Sequence, residues 1–217
     1  VEILYDDEKY EFSERKVSFA KTDMDDVMAI IYTSGTTGKP KGVLVPQRGI
    51  LNCIYYTTEI MNADDNDKII SISSHNHDMS MYDILGTFCI GAEVLVLNSM
   101  NWKDPSHWIE LINKYKVSIW ISVPVTFEML LNYIEGTEVK LPSLRNVFLG
   151  GEAMSEGLPG RIRKAASNVQ IYNIGGPTET TMWSNIYKIQ DEEIHYGYPI
   201  ANNQIYLLDN RENQVPF

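Results

Sequence analysis

The residues whose types and spacing could perform chemistry are densest between Tyr32 and Gly42, which read YTSGTTGKPKG. Glycine lets a backbone approach a bound anion closely, and Ser and Thr hydroxyls can donate hydrogen bonds to phosphate oxygens. Lys39 and Lys41 add positive charge, and Pro40 stiffens the turn between them. The segment therefore predicts a phosphate-binding loop. The alternative is a Gly/Thr-rich hairpin that binds nothing.

This loop differs from the common nucleotide-binding pattern G-x-x-x-x-G-K-S/T, which needs a hydroxyl after the lysine and a helix behind it. Here Gly42 follows Lys41. The flanking apolar segments, Val27–Thr33 and Gly42–Val45, predict a strand on each side of the loop. Strand–loop–strand with this sequence closely resembles the phosphate loop of the acyl-adenylate-forming enzymes, the superfamily of acyl-CoA synthetases, luciferases and nonribosomal peptide synthetase adenylation domains. The resemblance assigns the β- and γ-phosphates of ATP to Thr33, Ser34, Gly35, Thr36, Thr37, Gly38, Lys39 and Lys41.

Composition and charge restrict the possible partners. The chain has 217 residues and a net charge of −11, which argues against nucleic acid or an anionic membrane as a partner. The apolar segments are shorter than a membrane span requires, and residues 1–16 are too charged for a signal peptide. Cys53 and Cys89 lack a partner motif and are expected to be buried free thiols. These features predict a soluble, cytoplasmic protein.

Strand and helix patterns alternate between residues 68 and 173, which is typical of an α/β fold with a mostly parallel sheet flanked by helices. One or two edge strands are expected in residues 1–26. Beyond Gly175 the pattern changes to short strands, predicted over Trp183–Ile189 and Gln204–Leu208. We therefore expect an α/β core over residues 1–183 and the beginning of a smaller β-rich subdomain over 184–217. Ligands of open α/β sheets bind outside the carboxyl ends of the strands, so the loops there are the informative ones.

Asp78 lies in the first of these loops, SSHNHDMSMYD, after the strand predicted over Lys68–Ser73. From spacing alone, Asp78 either caps the next helix or holds a cation at a pocket mouth. In amino-acid-activating adenylation domains the matching motif is aromatic-Asp-x-Ser, whose Asp binds the α-ammonium group of the substrate. The resemblance gives that role to Asp78, with His77 in place of the aromatic residue. Acyl-CoA and aryl-acid relatives usually lack this acid.

Two later loops complete the resemblance. Gly150-Gly151-Glu152 is similar to the family's GGE motif, whose backbone borders adenine, although an ordinary turn would also explain it. The segment from Asn173 to Glu179, NIGGPTE, resembles N-x-Y-G-P-T-E. By that resemblance Asn173 meets the adenine edge, Thr178 contacts the adenylate phosphate and Glu179 ligates Mg²⁺. The nucleotide would also be bordered by Gly151, Glu152, Gly175 and Gly176. Gly175 replaces a tyrosine that stacks on adenine in most relatives.

The strings GGPTETTMWSN and MSMYDILG also resemble the adenylation domains of cysteine-activating siderophore and thiazoline-forming synthetases. The positions that match the family's specificity pocket are Asp78, Met79, Tyr82, Ile121 (or Ser122), Phe148, Gly150, Ile174, Met182 and Trp183. Bulky apolar side chains at most of them imply a small amino acid such as glycine, alanine or cysteine. Cysteine-activating relatives tend to have a polar Asn where this chain has Ile121 or Ser122. This difference weakens the case for cysteine as the substrate. The alternative is that these residues are plain core.

The resemblance implies a reaction and its partners. An amino acid and Mg·ATP would give aminoacyl-AMP and pyrophosphate, and the aminoacyl group would pass to the phosphopantetheine thiol of a carrier protein. The family's Y-R-T-G-D segment and the domain with its catalytic lysine do not occur in the sequence. We therefore expect the central piece of a larger synthetase, weak or inactive alone. The alternatives are an acyl- or aryl-CoA ligase fragment and a non-catalytic nucleotide-binding module that docks a carrier or small accessory protein.

Overall fold

The computed structural model describes residues 3–5, 18, 20–34, 38–98 and 100–215. The first half contains β1 (Ile3–Tyr5), β2 (Val27–Thr33), β3 (Lys41–Pro46), α1 (Gln47–Met61), β4 (Lys68–Ser71), a π-helix (Tyr82–Gly86), α2 (Thr87–Ile90) and β5 (Glu93–Val96). The second half contains α3 (Pro105–Tyr115), β6 (Ile119–Ser122), α4 (Pro124–Ile134), β7 (Asn146–Gly150), α5 (Leu158–Ala165), β8 (Gln170–Gly175), a 3-10 turn (Thr178–Thr180), β9 (Asn185–Ile189) and β10 (Tyr198–Pro199).

Within the described residues, the main sheet has eight strands in the order β1-β5-β4-β6-β7-β8-β9-β10. Its first six strands in that order are parallel, and β9 and β10 are antiparallel to their neighbours. The antiparallel pair β2–β3 forms a separate hairpin. The mostly parallel α/β fold, the strand–loop–strand unit and an edge strand near the amino terminus are as the sequence predicts.

Helices cover both faces of the sheet, because residues along each central strand alternate between two buried clusters. Trp120 and Leu149 point to the cluster formed with α3, α4 and α5. Ile121 and Phe148, their neighbours in sequence, point to the cluster formed with α1 and the hairpin. Among the described residues, no helix has both the length and the apolar character that crossing a bilayer requires.

Helix boundaries follow local chemistry. Helix α3 begins where Asp104 accepts a hydrogen bond from the Ser106 N–H at 2.9 Å, which is the N-cap that the sequence predicts. Helices α3 and α4 both carry proline in the first turn, where its missing N–H costs no helical hydrogen bond. Helix α1 ends at Asn62 in the left-handed conformation that asparagine tolerates.

Three details differ from the sequence predictions. The helix predicted over residues 80–89 contains a π-helical turn over Tyr82–Gly86, which periodicity does not reveal. The strand predicted over Gln204–Leu208 is wrong: only an isolated bridge from Leu208 to Gln214 forms, and the side chains there are exposed, with no sheet to pack against. Cys89, predicted to be buried, lies on the exposed side of α2, whereas Cys53 is buried.

The predicted boundary at residue 184 stays a prediction. Strand β9 pairs with β8 from Ile171↔Ile189 to Gly175↔Asn185, and β10 pairs with β9. The chain that follows residue 184 therefore first extends the main sheet before it reaches the irregular segment over residues 200–215.

Candidate functional site

The loops that the sequence singles out lie at one edge of the sheet. Asp78 follows β4, Gly151 follows β7 and Thr178 follows β8. These strands are parallel and, together with β6, are consecutive in the sheet, so their carboxyl ends face the same side.

Asp78 is the central charged group at this edge. The residue is only 8% exposed, and its Oδ2 atom has no hydrogen-bond partner among the described residues. Burial raises the pKa of the Asp78 carboxyl, against the opposing effect of hydrogen bonds from the Thr178 hydroxyl and two backbone N–H groups. A buried carboxylate with a free oxygen favours a cationic ligand, because an unpaired buried charge is costly.

The carboxylate of Asp78 does not cap the following helix. A capping side chain would accept a hydrogen bond from the N–H group two or three residues later. Instead, the Ser80 N–H donates to the His77 carbonyl at 3.1 Å and the Met81 N–H donates to the backbone carbonyl of Asp78 at 2.9 Å. The hydroxyl that lowers the pKa of this carboxyl is that of Thr178, from a different loop, which leaves the capping explanation without support.

The hairpin contacts the same region, since β3 lies against the turn Thr178–Thr180. Thr33 pairs with Lys41 at the loop end of the hairpin, and Ser34 and Lys39 are exposed beside them. Gly38 has a φ of +77° with open space around it. The middle of the predicted phosphate loop, Gly35, Thr36 and Thr37, lies outside the described residues.

Glu179 stands next to Thr178 with an exposed side chain. An accessible carboxylate of this kind suits Mg²⁺, which takes one or two protein carboxylates together with phosphate oxygens and water. No group of three His, Cys, Asp or Glu residues able to hold a metal ion occurs in the described part of the chain. A metal ion at Glu179 would therefore obtain most of its ligands from a bound nucleotide and water.

A cleft of about 970 Å³ opens beside this edge. Its lining includes five predicted nucleotide-binding residues: Gly151, Glu152, Asn173, Gly175 and Gly176. The strands beneath it approach so closely at Gly150 that a Cβ atom there would overlap the Ile174 carbonyl. The structure thus brings the two glycine-rich loops to one cleft.

The far wall of the cleft is a segment that sequence reasoning did not assign to the site. Asn173 donates its side-chain N–H to the His195 carbonyl at 2.8 Å, and Asn185 donates to the carbonyl of Tyr196. Both His195 and Tyr196 line the cleft. No local signal identifies this contact, because it joins residues that are distant in sequence and uses backbone carbonyls.

The predicted specificity residues form one buried group. Met79, Tyr82, Ile121, Phe148, Ile174, Met182 and Trp183 belong to the same cluster on the α1 side of the sheet. Ser122, the alternative to Ile121, accepts a hydrogen bond from Trp120, whose side chain lies in the opposite cluster. Ile121 is therefore the residue on the Asp78 side. Ile174 reaches the large cleft, and Met79 reaches a second cavity of about 150 Å³.

Comparison with known proteins agrees with this geometry. The family model described as AMP-binding enzyme matches residues 1–217. The anguibactin system regulator of Vibrio anguillarum is 34% identical over 193 residues, covering 86% of this chain and 18% of that protein. Bacitracin synthase 1 of Bacillus licheniformis is 36% identical over 222 residues, covering 98% of this chain and 4% of the synthase. The chain thus spans less than a fifth of these relatives.

Crystal structures of the nonribosomal peptide synthetase FmoA3 are also similar. Its AMPPNP-bound form is 34% identical with a TM-score of 0.81, covering 86% of this chain and 20% of that one. Its α-methyl-L-serine-AMP-bound form is 34% identical with a TM-score of 0.83, covering 89% of this chain and 22% of that one. The chain therefore belongs to the AMP-binding enzyme family, within which it is a fragment of an adenylation domain of the nonribosomal peptide synthetase type.

Proposed function

We propose that this chain forms the nucleotide- and substrate-binding centre of a domain that activates a small amino acid. The amino-acid carboxylate attacks the α-phosphorus of ATP, which forms aminoacyl-AMP and releases pyrophosphate. The aminoacyl group is then transferred to the phosphopantetheine thiol of a carrier protein. We call the protein that contains this chain and the rest of its adenylation domain the parent enzyme.

The observation that carries this proposal is the environment of Asp78. Its carboxylate is buried, has one oxygen without a partner among the described residues and lies near Thr178, the residue proposed to contact the adenylate phosphate. An amino acid has a protonated amine close to its carboxylate, so it can contact Asp78 while its carboxylate reaches the α-phosphate. A fatty or aryl acid would leave the buried carboxylate unpaired, which disfavours the CoA-ligase alternative.

The remaining residues act by position and charge. Phosphoryl chemistry of this kind depends mainly on alignment and on neutralising developing charge. Lys39 and Lys41 are proposed to neutralise the β- and γ-phosphates, and Asn173 to hold the adenine edge. Glu179 is proposed to hold Mg²⁺, which supplies positive charge to the phosphates when bound. The bulky apolar side chains buried together with Trp183 support a small substrate.

An ATP–pyrophosphate exchange assay with a panel of acids tests the proposal. The parent enzyme is expected to respond to one or more of glycine, alanine, serine and cysteine, and not to leucine, phenylalanine, acetate or benzoate. The 217-residue chain alone is expected to show little or no exchange. Stimulation by an acid that lacks an amino group would contradict the function proposed for Asp78. Full-rate exchange from the chain alone would contradict the expectation of a weak fragment.

Replacing Glu179 with glutamine is expected to lower kcat for exchange by roughly ten- to a hundredfold, the range that replacing a residue that supports a bound metal commonly gives. The Mg²⁺ concentration for half-maximal exchange should rise as well, because a neutral amide is a poorer ligand for this ion than a carboxylate. A magnesium titration of the variant measures both. Glu156→Gln, which removes an exposed acid that lines the large cleft, is the matched control. If Glu179→Gln needs no more Mg²⁺ than the wild type, Glu179 is not a ligand of the metal ion.

A further inference from the structure

Helix α1 holds Trp183, a residue of the candidate amino-acid site, by two buried hydrogen bonds. The indole N–H of Trp183 donates to the Thr57 hydroxyl at 3.0 Å. The Cys53 thiol donates to the Trp183 carbonyl at 3.6 Å. Burial raises the pKa of Cys53 to about 12, so the thiol keeps the proton that this contact needs. Cys53 and Thr57 are one helical turn apart, and both therefore face the same segment.

The other large ring of the site is held by the next residue of α1. The hydroxyls of Thr58 and Tyr82 are 2.8 Å apart. The Tyr82 and Trp183 ring centroids are 5.8 Å apart, and both side chains are fully buried. Two consecutive residues of one helix thus fix two neighbouring aromatic rings of the candidate site.

The segment Thr181–Trp183, which contacts α1, has an unusual backbone conformation. Thr181 and Met182 have φ angles of +68° and +55°, a conformation that non-glycine residues rarely adopt and that persists only when the surroundings enforce it. Gly49, on the same side of α1, leaves room for this path: a Cβ atom at residue 49 would lie 2.6 Å from the Thr181 hydroxyl oxygen. The backbone N–H of Met182 in turn lies near enough to Asp78 to lower the pKa of its carboxyl.

We propose that Thr57 is a positioning residue for the amino-acid site: it acts through Trp183, fixing the ring that limits the volume beside Asp78. This inference rests on the proposed function. None of the residues assigned to ATP lies on α1, whereas the two rings bonded to Thr57 and Thr58 both belong to the candidate amino-acid site. Loss of the Thr57 hydroxyl should therefore affect amino-acid selection and leave ATP binding unchanged.

Thr57→Val in the parent enzyme tests the inference, because valine keeps the shape of threonine and removes the acceptor. The KM for the preferred amino acid is expected to rise about tenfold, within the range that an unsatisfied buried donor allows, and the KM for ATP should not change. Thr57→Ser, which keeps the hydroxyl, should restore most of the wild-type value. Thr87→Val is the matched control, since Thr87 is also fully buried and its hydroxyl bonds only to the Asp83 carbonyl among the described residues.

A double-mutant cycle makes the test specific. In a Trp183→Phe background the indole donor is absent, so Thr57→Val should add little to the amino-acid KM. Additive effects of Thr57→Val and Trp183→Phe on the amino-acid KM would overturn the inference. So would equal rises in the KM values for the amino acid and for ATP, or a Thr57→Ser variant that does not restore the amino-acid KM. If Thr57→Val does not fold, Trp183→Phe by itself tests the proposal. A rise in the KM for ATP in that variant would contradict it. A wild-type parent without amino-acid-dependent exchange would instead overturn the proposed function, and this inference with it.

Discussion

Replacing Asp78 with asparagine is expected to lower amino-acid-dependent ATP–pyrophosphate exchange about a hundredfold or more. Asparagine keeps the shape of the side chain but leaves the substrate's ammonium group buried without a counter-charge. Removing one partner of a buried ion pair costs about 3–5 kcal/mol, and each 1.4 kcal/mol or so corresponds to a factor of ten in rate. The loss should appear in kcat/KM for the amino acid, measured in the parent enzyme at saturating ATP.

Asp83→Asn is the matched control. Asp83 lies five residues later and is completely buried, and burial raises the pKa of its carboxyl well above the ordinary value. The raised pKa favours the uncharged acid, so asparagine replaces one neutral side chain with another. We expect exchange by Asp83→Asn to stay within about threefold of wild type, which corresponds to less than 1 kcal/mol. Equal losses in the two variants would mean that Asp78 has only a structural role.

The same carboxylate predicts a pH dependence. Asp78 must be ionised to hold an ammonium group, and burial raises the pKa of this carboxyl in the free protein. As the pH falls through that raised pKa, kcat/KM for the amino acid should decrease, because kcat/KM reports the ionisation of the free enzyme. Binding of AMPPNP alone, measured by calorimetry, should not show this decrease. A profile that is flat down to the ordinary pKa of aspartate would contradict the assignment.

Much of the fold could be predicted because local chemistry determined it. Helices α3 and α4 begin where the Asp104 cap and the first-turn prolines indicate. The parallel order of the strands follows from their alternation with helices. Because the carboxyl ends of parallel strands lie on one side of the sheet, Asp78 and Thr178, which follow such ends, lie on the same side. The contact between them could therefore be anticipated from sequence, although its geometry could not.

The contacts of α1 with Thr181 and Trp183 could not be predicted, because they join residues more than a hundred positions apart. The pattern of Gly49, Cys53 and Thr57 at intervals of four residues shows one helix face, but it does not say what the face contacts. The left-handed residues Thr181 and Met182 give no local signal either, since neither is Gly, Asn or Asp. The choice between Ile121 and Ser122 likewise needs the register of the sheet, which sets the face on which each side chain lies.

Replacing Arg145 with glutamine is expected to destabilise the protein by about 3 kcal/mol or more, since it leaves a buried carboxylate without its counter-charge. Asp67 is 3% exposed. Its carboxylate accepts hydrogen bonds from the Arg145 guanidinium, with Nε at 2.8 Å, and from the Ser118 hydroxyl at 2.6 Å. Arg145 also bonds to the Met61 carbonyl at 2.9 Å, and so joins the end of α1 to the starts of β4, β6 and β7. Urea unfolding of the parent enzyme, followed by tryptophan fluorescence, measures the loss.

The pH dependence of this loss identifies its cause. Burial alone would raise the pKa of Asp67, but the hydrogen bonds from Arg145 and Ser118 hold it below its ordinary value. A carboxyl with a lowered pKa stabilises the fold above its unfolded pKa of about 3.9 and loses that contribution as the pH falls through the folded value. The stability difference between wild type and Arg145→Gln should therefore be large at neutral pH and shrink below about pH 4.

Two further variants separate the buried pair from a general effect of losing an arginine. Arg161→Gln removes an arginine as exposed as Arg145 whose partner, Glu135, is an exposed carboxylate 3.5 Å away, and exposed pairs contribute at most about 1 kcal/mol. The double variant Arg145→Met/Asp67→Leu removes the buried carboxylate together with its counter-charge and should recover much of the lost stability, because apolar residues can replace such an ion pair at little cost. If the double variant is no more stable than Arg145→Gln, the loss comes from the guanidinium contacts to the carbonyls of Met61 and Asn62 and not from the unpaired Asp67.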